Sequence, residues 1–109
     1  MIFKIVNARF KMTDLIEKLN KDIADISWQE LLPHAKRDAV IVVDSDLGLS
    51  EVAIAMAEDN ITLVRSWIAD KSITKPTADR LSQWNDNPQK QFTALIVQPF
   101  VVVKEIHDN

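Results

Sequence analysis

The chain has 109 residues and a net charge of −3, with 47% hydrophobic and 27% charged residues. This is the size of one domain and the composition of an ordinary folded protein, which excludes an intrinsically disordered chain. Cysteine is absent, so disulfides and thiolate chemistry are excluded, and no apolar run approaches the roughly 20 residues of a membrane helix. We therefore expect a cytoplasmic protein without a membrane partner.

The first eleven residues differ from the rest in charge. They contain three bases, Lys4, Arg9 and Lys11, and no acid, and they lack the apolar core of a signal peptide. We interpret residues 1–11 as an N-terminal extension or a short strand, and residues 12–109 as a single globular domain. Without these three bases the net charge would fall from −3 to −6. Since nucleic-acid binding needs a basic face, we expect no nucleic-acid partner.

A capping motif separates the first two predicted helices. The apolar stripe from Leu15 to Ile26 predicts the first helix. Ser27 and Glu30 match a capping box, in which each side chain accepts a hydrogen bond from the other residue's amide, and this predicts a second helix. Pro33 lacks an amide hydrogen, so we expect the second helix to be kinked or to end early.

An apolar run at Ala39–Val43 predicts a buried strand. Asp46 is the predicted N-cap of a third helix, whose segment Val52–Ala57 is almost wholly apolar and should be buried. A fourth helix, starting near residue 60, carries Trp67 on an apolar stripe, so we expect this tryptophan in the core. A fifth helix is predicted to start at Pro76.

The last predicted element, Phe92–Ile106, is rich in Val and Ile. Pro99 interrupts it and marks a bulge, a bend or an edge, because proline cannot donate to a central ladder. The elements together predict an α+β fold, with about five helices packed on a small sheet of two to four strands. Ala39–Val43 and Phe92–Ile106 are the strands that the pattern identifies most clearly.

The polar residues after the first predicted strand are the candidates for a site. From Asp44 through Asp59 the chain has five carboxylates and no Lys, Arg or His. A magnesium site needs only one or two protein carboxylates beside substrate phosphates, so Asp44, Asp46, Glu51 and Asp59 are candidate metal ligands. We favour the alternative that Asp44 ends the strand and Asp46 caps a helix.

Other signatures of catalysis are missing. Gly48 is the only glycine, and the glycine-rich nucleotide loops need several. His34 and His107 are each isolated in the sequence, without the neighbours of a catalytic triad. We therefore predict no catalytic residue and no cofactor. Burial is the default for the three tryptophans, and Trp28, in the first turn of its predicted helix, is the one most open to partial exposure and therefore the candidate interaction residue.

Short motifs are spread over the chain between Leu15 and Glu105. They are Ile26-Ser27-Trp28-x-Glu30-Leu31, Val42-Val43-Asp44, Leu49-x-Glu51-Val52-Ala53, Ala57-Glu58-Asp59, Val64-x-x-Trp67 and Ile96-Val97-x-Pro99-Phe100-Val101-x-Val103-x-Glu105. In these motifs the chain resembles an uncharacterised bacterial family, domain of unknown function 2288, although Phe100 stands where many members have tryptophan. The resemblance implies no site residue, because the family has none established. It does not reach residues 1–11.

The functional hypothesis is a non-enzymatic protein-interaction or self-associating module, with an unknown protein partner and a homodimer as the expected state. Ala94–Val97 and Phe100–Val103 are apolar on both faces, and a two-stranded sheet is marginal in water, so an exposed edge would pair with a second copy. The alternative is that five helices cover the strands within one chain. The enzyme alternative is a magnesium-dependent activity that uses the carboxylates at the end of the strand Ala39–Val43.

Overall fold

A mixed sheet forms the middle layer of the computed structural model, which describes residues 12–44 and 46–106. Its elements in chain order are α1 (Met12–Asp22), β1 (Ala24–Ser27), α2 (Trp28–Lys36), β2 (Val40–Val43), α3 (Leu49–Ala57), α4 (Ile61–Ala69), β3 (Ile73–Thr74), α5 (Ala78–Asn85), β4 (Gln91–Val97) and β5 (Phe100–Glu105). The five strands lie in the order β1-β4-β5-β2-β3. Strands β2 and β5 are parallel, and every other neighbouring pair is antiparallel.

Helices cover both faces of the sheet. On the first face, α1, α3 and α4 build a core that includes Leu19, Val52 and Trp67. On the second face, α2 and α5 build a core around aromatic side chains. The central strand β5 serves both cores, because Val102 packs in the first while Val101 and Val103 pack in the second. This explains why the strand is apolar at every position from 100 to 103.

The predicted α+β class and the five helices are confirmed, but within the described residues the sheet has five strands rather than two to four. The two strands that the sequence did not reveal are β1 and β3. Strand β3 has two residues, which is too short for an alternating pattern. In β1, Ile26 was expected on the stripe of the first helix, but that helix ends at Asp22 and Ile26 pairs with Phe92 of β4.

Helix α2 begins at the predicted place. The Glu30 amide donates to Ser27 Oγ at 3.2 Å, and the Ser27 amide donates to Glu30 Oε1 at 3.2 Å, which completes the capping box. Of the two alternatives for Pro33, an early end of the helix is wrong, because the helix continues to Lys36, and a kink stays a prediction. Proline removes one helical hydrogen bond, and the fully buried Leu31 holds this helix on the second core.

The N-cap of α3 is Gly48, so the prediction that Asp46 caps this helix is wrong. The Gly48 amide donates to Glu51 Oε1 at 3.3 Å, which is the carboxylate half of a capping box. The apolar segment Val52–Ala57 follows, and Val52 and Ala53 are fully buried, as predicted. The sequence misplaced the cap because Asp is a stronger N-cap than Gly, whereas here Glu51 supplies the carboxylate.

The last predicted element is a hairpin of β4 and β5, and the turn between them contains a cis peptide bond at Gln98-Pro99. Helices of the same chain cover both faces of these strands. A second copy is therefore not needed to cover these strands. The homodimer prediction loses the argument on which it was based. The predictions for residues 1–11 and for His107 lie outside the described residues. No helix within the described residues is long and apolar enough to cross a membrane.

Candidate functional site

Helix α4 exposes large apolar side chains beside its buried side. Ile61 is 58% exposed and Ile68 is 57% exposed, whereas Trp67 is 9% exposed and belongs to the first core. The prediction that Trp67 is a core residue is confirmed. Single exposed aliphatic residues are common, but a group of them on one helix marks a candidate contact surface.

The exposed isoleucines line one wall of a groove of about 570 Å³, which we call the α4 groove. Ile41 of β2, Ile73 of β3 and Phe100 of β5 form its base, since Ile73 is buried and the other two are half-buried. A groove of this volume lies within the usual range of ligand pockets, roughly 300–1,000 Å³. Most of its exposed lining surface is apolar, so the groove is suited to apolar side chains.

Charged residues of both signs lie along the α4 groove. Asp59, Arg65 and Lys75 are the ones that line it. Asp59 has a φ of 54°, in the left-handed region that aspartate enters more readily than most residues, and it leads the chain from α3 into α4. Asn60 then caps α4, because its Oδ1 accepts a hydrogen bond from the Leu63 amide at 3.2 Å. This turn fixes the wall of the groove against α3.

A second feature, which we call the edge cluster, consists of Asp44, Arg80, Lys90 and Glu105. Asp44 follows β2 and Glu105 ends β5, and since these strands are parallel their carboxyl ends meet at one edge of the sheet. Arg80 of α5 binds Asp44 through two contacts, Nη2 to Oδ1 at 2.9 Å and Nη1 to Oδ2 at 3.2 Å. The hydrogen bond with Asp44 raises the pKa of Arg80 above its ordinary value.

The edge cluster continues through Glu105. Its Oε2 lies 3.7 Å from Arg80 Nη2, and its Oε1 lies 3.3 Å from Lys90 Nζ. The Trp84 indole donates to Glu105 Oε1 at 3.3 Å, and the Thr74 hydroxyl donates to Asp44 Oδ2 at 3.1 Å. The four charged side chains are between 15% and 31% exposed. Because each charge has an opposite partner, the cluster fastens α5 to the edge of the sheet.

The four candidate metal ligands lie at different places in the structure and make different contacts. Both carboxylate oxygens of Asp44 bind Arg80, and Glu51 binds the amide of Gly48. Asp59 lies at the α4 groove, and Asp46 is exposed between β2 and α3. Within the described residues, no three Asp, Glu, His or Cys side chains are grouped as they would be around a metal ion. The metal site stays a prediction.

Trp28, the candidate interaction residue, is buried and not partly exposed. It is 1% exposed, and its indole Nε1 donates to Asn85 Oδ1 at 2.8 Å. Its ring lies 5.1 Å from the Trp84 ring and 6.1 Å from the Phe92 ring, measured between centroids. Because α2 lies flat on the second core, the first turn of the helix is buried, and Trp28 packs in the interior of the protein.

Sequence reasoning missed both Arg80 and the α4 groove. The α4 groove had a usable signal, since apolar residues from Ile61 to Ile68 occupy more of the helix surface than one buried stripe needs. Arg80 had no such signal, because its partner Asp44 lies 36 residues away in sequence.

Among curated proteins none matches the chain. The family model described as "Protein of unknown function (DUF2288)" matches residues 14–105. The NMR solution structure of PA1075 from Pseudomonas aeruginosa is similar, with 32% sequence identity, a TM-score of 0.71 and 94% of each chain covered. The match spans most of the chain and includes both α4 and the edge cluster, and the chain therefore belongs to the DUF2288 family.

Proposed function

We propose that this protein is a non-enzymatic interaction module that self-associates as a homodimer through the α4 groove. The observation that carries the proposal is the pair of isoleucines, Ile61 and Ile68, each more than half exposed on the wall of an apolar groove. Contiguous exposed apolar surface with a charged rim is typical of protein contact sites. We keep the cytoplasm as the expected compartment.

The edges of the sheet support a contact through α4 rather than through strand pairing. Strand β3 is an edge strand of two residues, and Lys75 and Pro76 follow it directly. Strand β1, at the other edge, exposes Asp25. Short strands, charged residues and prolines are the features with which proteins prevent edge-to-edge pairing. The first route to a dimer that the sequence suggested is therefore poorly supported, and the α4 groove replaces it.

The alternative of a magnesium-dependent enzyme has less support. It requires free carboxylates at the end of β2, and the two oxygens of Asp44 are bound to Arg80 at 2.9 and 3.2 Å. Releasing them would remove both close contacts of the Arg80 guanidinium and leave it only the Glu105 carboxylate, 3.7 Å away. We therefore do not advance this activity as a second proposal.

Light scattering after size exclusion tests the proposal. At micromolar concentration we expect a mass of twice the 12.4 kDa monomer for the parent protein. The double variant Ile61→Asp/Ile68→Asp should be monomeric, because four buried carboxylates would oppose each other's burial in the dimer. Both positions are exposed in the single chain, so its fold should persist, which circular dichroism can verify.

Ile96→Asp is the matched control. Ile96 is 55% exposed, and it lies on the second face because its neighbours Leu95 and Val97 pack in the first core. This variant should keep the parent mass. A monomeric parent protein would overturn the proposal, and so would dissociation of the Ile96→Asp variant to the same extent as the α4 double variant.

A further inference from the structure

We draw no further inference here: the strongest candidate outside the α4 groove, the cleft of about 480 Å³ at the N-terminus of α3, carries nothing, because Ser50 Oγ already donates to Asn20 Oδ1 at 2.6 Å, Glu51 Oε1 already accepts from the Gly48 amide at 3.3 Å, and a helix N-terminus alone does not show which ligand it would hold.

Discussion

The two faces of the sheet are covered to different extents. On the second face, Trp28, Trp84 and Phe92 form a cluster with ring centroids 4.9 to 6.1 Å apart, and both indole groups donate hydrogen bonds. On the first face, the core under α3 is built largely from small aliphatic residues such as Val52 and Ala53. The α4 groove lies on this first face and leaves isoleucine side chains exposed to solvent.

This difference suggests that one face of the sheet stabilises the fold and that the other face binds another molecule. Large aromatic side chains bury much apolar area and gain from their edge-to-face packing, so two short helices are enough to build the second core, although Ile96 of β4 stays exposed on that face. On the first face, α4 covers the surface incompletely, because the α4 groove leaves Ile61 and Ile68 exposed. We therefore assign the second face to folding and the first face to binding.

The largest effect should come from removing an aromatic ring of the second face. Trp84→Ala should lower the free energy of unfolding by about 4–5 kcal/mol, at the upper end of large aromatic truncations, because the ring and its hydrogen bond to Glu105 are both lost. Trp67→Ala on the first face should cost about 3 kcal/mol, since this side chain is 9% exposed and Trp84 is 2% exposed. Urea denaturation measures both values. A larger loss for Trp67→Ala would reverse the assignment of stability to the second face.

The edge cluster should have the next largest effect. Arg80→Ala should cost about 1–2 kcal/mol, because it removes two charge-assisted hydrogen bonds to Asp44 at a partly buried site. Lys75→Ala is the control, since its ion pair with Asp38 is 58% and 71% exposed and should contribute less than about 0.5 kcal/mol. Equal losses in the two variants would show that the edge cluster is no more than a surface ion pair.

The protonation of Arg80 adds a pH prediction to that measurement. Its pKa is raised in the folded protein, mainly by the hydrogen bond with Asp44. A base with a raised pKa stabilises the fold at every pH below its ordinary pKa, and this contribution is lost only as the pH rises through the folded value. The difference between the parent and Arg80→Ala should therefore not decrease between neutral and moderately alkaline pH.

Local patterns in the sequence were predicted better than contacts between residues that lie far apart along the chain. The capping box at Ser27 and the buried strand β2 are local patterns, and both were predicted, whereas Phe92–Ile106 was predicted as one element interrupted at Pro99 and is a hairpin of β4 and β5. Strand β3 and the partnership of Asp44 with Arg80 depend on residues that lie far apart in sequence, so no local pattern reports them. The partners of Trp28 were missed for the same reason, because the rings that contact it come from α5 and β4.

Substitutions at two of the candidate metal ligands should have smaller effects on stability, and these effects should differ from each other. Asp44→Asn should cost about 1 kcal/mol, because it removes the charge that binds Arg80. Asp46→Asn should change the stability by less than about 0.5 kcal/mol, because Gly48 and not Asp46 caps α3. Calorimetric titration of the parent with magnesium accompanies these measurements. Tight binding that is lost in both variants would revive the magnesium-dependent alternative.

The smallest effect should follow removal of residues 1–11. A variant that starts at Met12 should keep the melting temperature and the mass of the parent protein, because the part of the chain that the structure describes, from residue 12 onward, already forms two hydrophobic cores. This prediction also tests whether the α4 groove is open in the single chain. Residues 1–11 contain the apolar sequence Met1-Ile2-Phe3-Lys4-Ile5-Val6, and a segment of eleven residues can span about 36 Å when extended. If this segment occupied the groove, the shortened protein would melt several degrees lower and would change its mass in solution. Either change would show that the first face stabilises the single chain and does not bind a second molecule. It would contradict the assignment of the two faces.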